Sequence, residues 1–321
     1  MAFELKLQGN QNNKSVQLID NNSDTVVTID CKGALMNGWK TILANHPLEL
    51  ILGNTNSDFS DRPKEKSLSF EMNGFRSGKM SPFSCRIDKG QYMWLDQKYK
   101  FEKFYLGEHA MHGLVYDAEF ELDASEIHET YAQVTLGFDY NGTDLGFPFP
   151  YEIIVQWTLH QDNLICSKTT INNKSNQSIP IMDGWHPYFT LGGLVNDYTL
   201  EFKSIGKIEM SETMIPNGEI TKDDYFDEGK KIGGTHFDDC YLLNPSKNQI
   251  KLSYEGRSII VQPIHNYPYL QIYTPDDRKS IAIENLSGAP NCFNNKMGLQ
   301  ILEPQSQIYF ETNYQFIATS N

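Results

Sequence analysis

Thr130-Tyr131-Ala132-Gln133-Val134-Thr135-Leu136-Gly137-Phe138-Asp139-Tyr140 alternates apolar and polar side chains along most of its length, and residues 152–160 and 164–171 repeat the pattern. A period of two sends successive side chains to opposite faces of a strand, whereas an amphipathic helix needs 3.6. The same alternation runs through 3–7, 16–19, 25–29 and 118–122, and again through 198–203, 249–254, 258–262, 269–273 and 307–312. Turn formers such as Asn172-Asn173 and Glu255-Gly256 separate the segments. The chain reads as antiparallel strands joined by hairpins and loops, an all-β protein forming one large β-sandwich domain over residues 1–321. Amphipathic helical patterns are nearly absent, and no glycine-rich phosphate loop opens a helix after a strand, which argues against α/β nucleotide-binding architectures. The polar stretches 54–66 and 217–234 read as surface excursions, lacking the length and low complexity of a hinge.

Hydrophobic residues make up 39% of the 321 and aromatics 12%, enough to fill a core and leave rings for a ligand groove. The balance of 41 acidic against 27 basic residues, a net charge of -14, repels phosphate backbones and anionic headgroups. Neither nucleic acid nor a membrane is expected as a partner. Cys31, Cys85, Cys166, Cys240 and Cys292 are odd in number, widely spaced and without a Cys-x-x-Cys, so reduced thiols are expected. No stretch approaches the roughly 20 apolar residues of a membrane helix. The opening Met1-Ala2-Phe3-Glu4-Leu5-Lys6 runs into Gln8-Gly9-Asn10 without the apolar core of a signal peptide, and a cytoplasmic location is expected.

Gly184-Trp185-His186-Pro187-Tyr188-Phe189-Thr190-Leu191-Gly192-Gly193 sets one imidazole inside an aromatic, glycine-ended segment. Aromatic faces suit the C–H side of a pyranose, and a histidine exchanges protons near neutral pH. Alone, such a histidine is ordinarily a core residue. Three further segments change that reading: Pro82-Phe83-Ser84-Cys85-Arg86-Ile87, Ala110-Met111-His112-Gly113-Leu114, and Ile281-Ala282-Ile283-Glu284-Asn285 followed by Gly288-Ala289-Pro290. In this order, the four segments resemble the aldose 1-epimerase (galactose mutarotase-like) family. The likeness extends to Ile29-Asp30-Cys31-Lys32-Gly33-Ala34, Leu270-Gln271-Ile272-Tyr273-Thr274 and the C-terminal residues 301–316, nearly the whole chain. It implies a twisted antiparallel supersandwich and a monosaccharide substrate.

Interconverting α and β anomers needs no redox step and no metal. A base takes the proton of the C1 hydroxyl while an acid protonates O5, and the two exchange roles when the ring recloses. By resemblance, Glu284 is the base, His186 the acid, and His112 a hydrogen-bonding partner of the ring oxygen or a neighbouring hydroxyl. Arg86 would hold hydroxyls through its planar fork. Asp238 matches the sugar-binding aspartate, with Asp239 adjacent and the register open, and Gln271 and Tyr273 are candidates for the groove wall. No cofactor is implied.

Plainer readings stand beside each assignment. Glu284 could be a solvent-facing carboxylate at the end of strand 280–283, Glu303 is a rival carboxylate, Arg86 could pair with Asp88 on the surface, and His112 could be a turn residue. His109-x-x-His112 and His236-x-Asp-Asp-Cys240 carry donor types that zinc can use, but neither lies on a recognisable helix. The sequence departs from the galactose-specialised pattern in four places: Leu114, Trp185, Cys85, and the run Asn285-Leu286-Ser287. They leave the sugar open. Arg76 and Lys79 could supply cations for a hexose 6-phosphate, and a carbohydrate-binding protein without turnover and a glycoside hydrolase are the other classes to separate.

Overall fold

The computed structural model describes residues 2–9, 14–54 and 73–319; residues 55–66 of the first expected excursion lie outside them. Among the described residues, the alternating segments form a nine-stranded antiparallel sheet. Its order is Glu121–Ile127, Tyr131–Tyr140, Tyr151–His160, Leu164–Asn173, Gln307–Ala318, Arg257–His265, Ile250–Tyr254, Thr199–Phe202 and Lys230–Lys231. Val134 lies opposite Trp157 and Trp157 opposite Ser167, so one buried face collects Val134 and Trp157 together with the small Ser167. A slip of one residue would turn that whole set to solvent, which is why the pattern specifies the register.

A second antiparallel sheet runs Pro216–Thr221, Ser204–Met210, Asp238–Leu243, Tyr269–Tyr273, Ile281–Leu286, Gly184–His186 and Gly78–Met80, with Tyr188–Phe189 also paired to Ile281–Leu286. The two sheets pack face to face. Trp185 sits 5.0 Å from Trp157, Phe189 lies 5.8 Å from Tyr314, and the Asn285 amide donates to the Thr312 hydroxyl. Because strand side chains alternate, the residues next to these three, His186, Tyr188 and Glu284, project from the opposite face of the second sheet. A five-stranded N-terminal sheet, Phe3–Gln8 through His46–Glu49, joins the assembly. Trp157 Nε1 donates to the Ala34 carbonyl at 2.9 Å, and Leu52 N–H to the Tyr188 carbonyl at 2.8 Å.

The fold is the expected all-β antiparallel sandwich, with two local corrections. The stretch 217–234 is not simply an excursion, because it carries most of Pro216–Thr221 and all of Lys230–Lys231, edge strands of the two sheets. The segment 118–122 becomes a strand only from Glu121, and Glu121–Ile127 is exposed throughout. It is the sheet edge, where Glu121, Asp123 and Glu126 blunt pairing with other chains. Helix is confined, among the described residues, to short turns such as Cys292–Asn295, and none is long and apolar enough to cross a membrane.

Candidate active site

Glu284 occupies the middle of Ile281–Leu286, a strand buried at every position. The plainer reading of Glu284, a solvent-facing carboxylate at a strand end, does not hold: one face of this strand meets the nine-stranded sheet and the other a pocket of about 400 Å³. Across the sheet Glu284 lies opposite Gln271, and Gln271 opposite Cys240. Glu284 is 1% exposed, its Oε1 lies 3.3 Å from His186 Nε2, and its Oε2 has no partner among the described residues. Burial pushes the Glu284 carboxyl well above the usual range, with a further push from Asp238 and an opposing pull from Arg86.

His186 reaches the same pocket from the neighbouring strand. Its ring stacks on Tyr188, with centroids 4.9 Å apart and planes 8° from parallel, and its Nδ1 is unpartnered among the described residues. Burial holds its pKa down at about 3. His112 enters from a loop, with its ring centred 5.2 Å from that of His186 and 4.6 Å from that of Phe75. The backbone N–H of Cys85 donates to His112 Nδ1 at 3.3 Å, so the neutral ring carries its proton on Nε2. Burial, then His186 and Arg86, hold its pKa well below the usual value. His112 is thus a neutral hydrogen-bond donor.

The loop that aims His112 depends on Gly113. Its φ is 76°, and an added Cβ would stand 2.3 Å from the Ser81 carbonyl oxygen, against backbone that cannot yield cheaply. Gly113→Ala is expected to cost about 2 kcal/mol or more of folding stability. A urea unfolding midpoint equal to that of the parent protein would contradict this.

Arg86, Asp238 and Gln271 line the pocket beside Glu284. Gln271 Nε2 donates to Asp238 Oδ1 at 2.8 Å, and the Arg86 guanidinium lies 4.0 Å from Asp238 Oδ2. Burial raises the Asp238 pKa, with Arg86 opposing. The register resolves the adjacent aspartates: Asp239 turns to the other face, where Lys207 Nζ approaches it at 2.6 Å. Arg86 is directed to Asp238 in the pocket, and Asp88 lies 3.3 Å from His109 Nδ1. Glu303 is exposed and absent from the pocket lining. His109 turns toward Asp88 while His112 lines the pocket, and His236 is exposed while Cys240 is fully buried. No group of three or more metal-capable side chains converges among the described residues.

Phe75, Phe104, Leu106 and Met111 also line the pocket and were not legible as site residues. Phe75 has a φ of 55° and lies outside any strand, so no periodicity announced it. Of the four departures, only Cys85 lines the pocket. Trp185 and Asn285 face the nine-stranded sheet, and Leu114 is buried outside the pocket lining.

Residues 16–315 match the family model described as aldose 1-epimerase, and the chain belongs to that family. Among curated proteins it is similar to the uncharacterized protein YihR of Escherichia coli (strain K12), 23% identical over 232 residues, covering 69% of this chain and 73% of that protein. Among solved structures it resembles a galactose mutarotase-like protein from Clostridium acetobutylicum, with a TM-score of 0.82, 17% identity and 99% of each chain covered. It also resembles the galactose 1-epimerase from Lactobacillus acidophilus NCFM, with a TM-score of 0.81, 16% identity and 99% of each chain covered.

Proposed function

We propose that the protein, as a single domain spanning 1–321, is an aldose 1-epimerase that interconverts the anomers of a free, uncharged monosaccharide. The observation that carries this reading is the Glu284–His186 pair: two buried proton-exchanging groups 3.3 Å apart, each with an atom unpartnered among the described residues, in a pocket walled by aromatic rings. The pair holds one proton, which burial favours on Glu284; in the minor placement that leaves Glu284 ionised and His186 protonated, Glu284 takes the C1 hydroxyl proton, the electron pair forms the C1 carbonyl, the C1–O5 bond breaks, and His186 delivers its proton to O5. After rotation about C1–C2, the same steps run backwards. His112, as a neutral Nε2–H donor, orients O5 or the hydroxyl beside it. Arg86, Asp238 and Gln271 take the remaining hydroxyls.

Of the two cations offered for a hexose 6-phosphate, Arg76 lies outside the pocket lining yet close enough to Tyr188 to oppose the rise of its pKa, so the phosphate is disfavoured on Lys79 alone. Lys79 is fully buried and ion-paired with Asp183 behind the sheet, so it is not available to a phosphate. Arg86, the one lysine or arginine of the pocket lining among the described residues, lies beside Asp238. A glycosidase would need two carboxylates flanking the scissile bond. Here Asp238 accepts from Gln271, and the titratable group facing Glu284 is an imidazole.

Polarimetry of freshly dissolved glucose, galactose, xylose and arabinose separates turnover from mere binding. For at least one sugar the optical rotation is expected to decay faster with enzyme and to end at the same value, and dialysis against a chelator is expected to change nothing. If every sugar keeps its spontaneous rate while one binds, the protein is a carbohydrate-binding member. Activity lost to the chelator and restored by zinc would overturn the metal-free mechanism.

A further inference from the structure

Behind the pocket, Lys79 and Asp183 form an ion pair with no exposed side-chain surface on either partner. Such a pair loses solvation that its attraction barely repays, and apolar side chains would fill the same space without that cost. Stability alone therefore does not account for it. Its connections do.

His186 and Glu284 sit on adjacent strands whose pairing is thinned where the two meet, to a 3.3 Å bond from Ile283 N–H to the Pro187 carbonyl. Gly184 pairs with Leu286 on one side and Tyr188 with Ala282 on the other. Between them Pro187 has no N–H to donate. Asp183 binds the surrounding strands together. Its carboxylate accepts from the Lys79 ammonium on Gly78–Met80, which also lies 4.3 Å over the Trp185 ring. The same oxygen, Oδ2, accepts from the Tyr267 hydroxyl at 2.6 Å, two residues before Tyr269–Tyr273, the strand of Gln271. Its main chain exchanges two bonds with Ser287, the residue after Ile281–Leu286: Asp183 N–H to Ser287 Oγ at 2.8 Å, and Ser287 N–H to the Asp183 carbonyl at 2.9 Å.

We propose that Asp183, with Lys79 and Tyr267, is a clamp that fixes the spacing between His186 and Glu284, which makes Asp183 a positioning residue for the proton transfers. The clamp's catalytic meaning rests on the epimerase reading above; its geometric meaning does not. The variant Lys79→Met/Asp183→Leu removes both charges together, so neither is left buried alone. It is expected to fold, with an unfolding midpoint lowered by no more than the loss of the carboxylate acceptor of the Tyr267 hydroxyl. Its kcat is expected to fall about 10- to 100-fold, with KM little changed, because a misplacement of about 1 Å is enough to do this. The His186 imidazole ¹⁵N resonances, followed against pH without sugar, are expected to titrate differently from the parent. A folded variant with parental kcat and parental His186 titration overturns the clamp. Should that variant not fold, Tyr267→Phe removes one hydroxyl only, and a severalfold loss in kcat with unchanged KM is expected; parental kcat and parental His186 titration there overturn the proposal equally. The ¹⁵N titration needs no turnover, so it tests the clamp even if polarimetry removes the epimerase reading.

Discussion

Glu284→Gln is expected to lower kcat by about 10²- to 10⁴-fold, the range for deleting a general acid or base, while sugar affinity stays close to that of the parent. The amide keeps the volume and one acceptor, so the pocket is preserved; it cannot take the C1 hydroxyl proton. The fold is not expected to suffer, because the carboxyl is buried and its burial already favours the neutral form, which the amide imitates. Glu303→Gln, at an exposed position outside the pocket lining, is expected to change kcat little. Polarimetric kcat with calorimetric sugar binding checks both. Near-parental turnover in Glu284→Gln would mean that another group is the base, and the carboxylate on the same pocket wall, Asp238, would be the next to substitute.

The alternation in 130–140 and its repeats carried the sandwich because each strand there has one face on the core, so local hydrophobicity and global position agree. Ile281–Leu286 behaves differently. Both of its faces are covered, so its sequence carries no marker for which face is the pocket, and Glu284 looked like the polar end of an alternating run. Asp238 and Asp239 posed the same difficulty in smaller form: alternation requires them to face opposite ways but does not say which way. Only pairing with Tyr269–Tyr273, which places Cys240 opposite Gln271 and Gln271 opposite Glu284, sets Asp238 on the pocket side. Lys79 misled for a related reason. It reads as a cation for a phosphate, and its partner Asp183 lies 104 residues away in sequence. Trp185 shows the converse case, a departure from the family pattern whose side chain packs into the core 5.0 Å from Trp157.

His186→Asn is expected to suppress kcat by a factor similar to that of Glu284→Gln, because an amide can hydrogen-bond O5 but cannot deliver a proton to it. His112→Asn is expected to cost less, since His112 donates a hydrogen bond and keeps its own proton. The pH profile distinguishes these roles. The active free enzyme holds one proton on the Glu284–His186 pair, and the two placements of that proton titrate as a unit. Burial lowers the His186 pKa to about 3, so the second proton, which silences the base, is taken up only on strong acidification. Burial raises the Glu284 pKa, so the last proton leaves later than a carboxylate normally allows. Both shifts widen the plateau of kcat/KM: the acid limb moves below the usual carboxylate value, and the alkaline limb is set by the pair and moves up. Without His186, the residual activity needs only an ionised Glu284. It is expected to rise with pH through the Glu284 pKa and then stay level, with no alkaline fall. If the His186→Asn profile keeps the parental alkaline limb, the proton on O5 comes from elsewhere, and His112, whose ring is centred 5.2 Å from that of His186, becomes the acid.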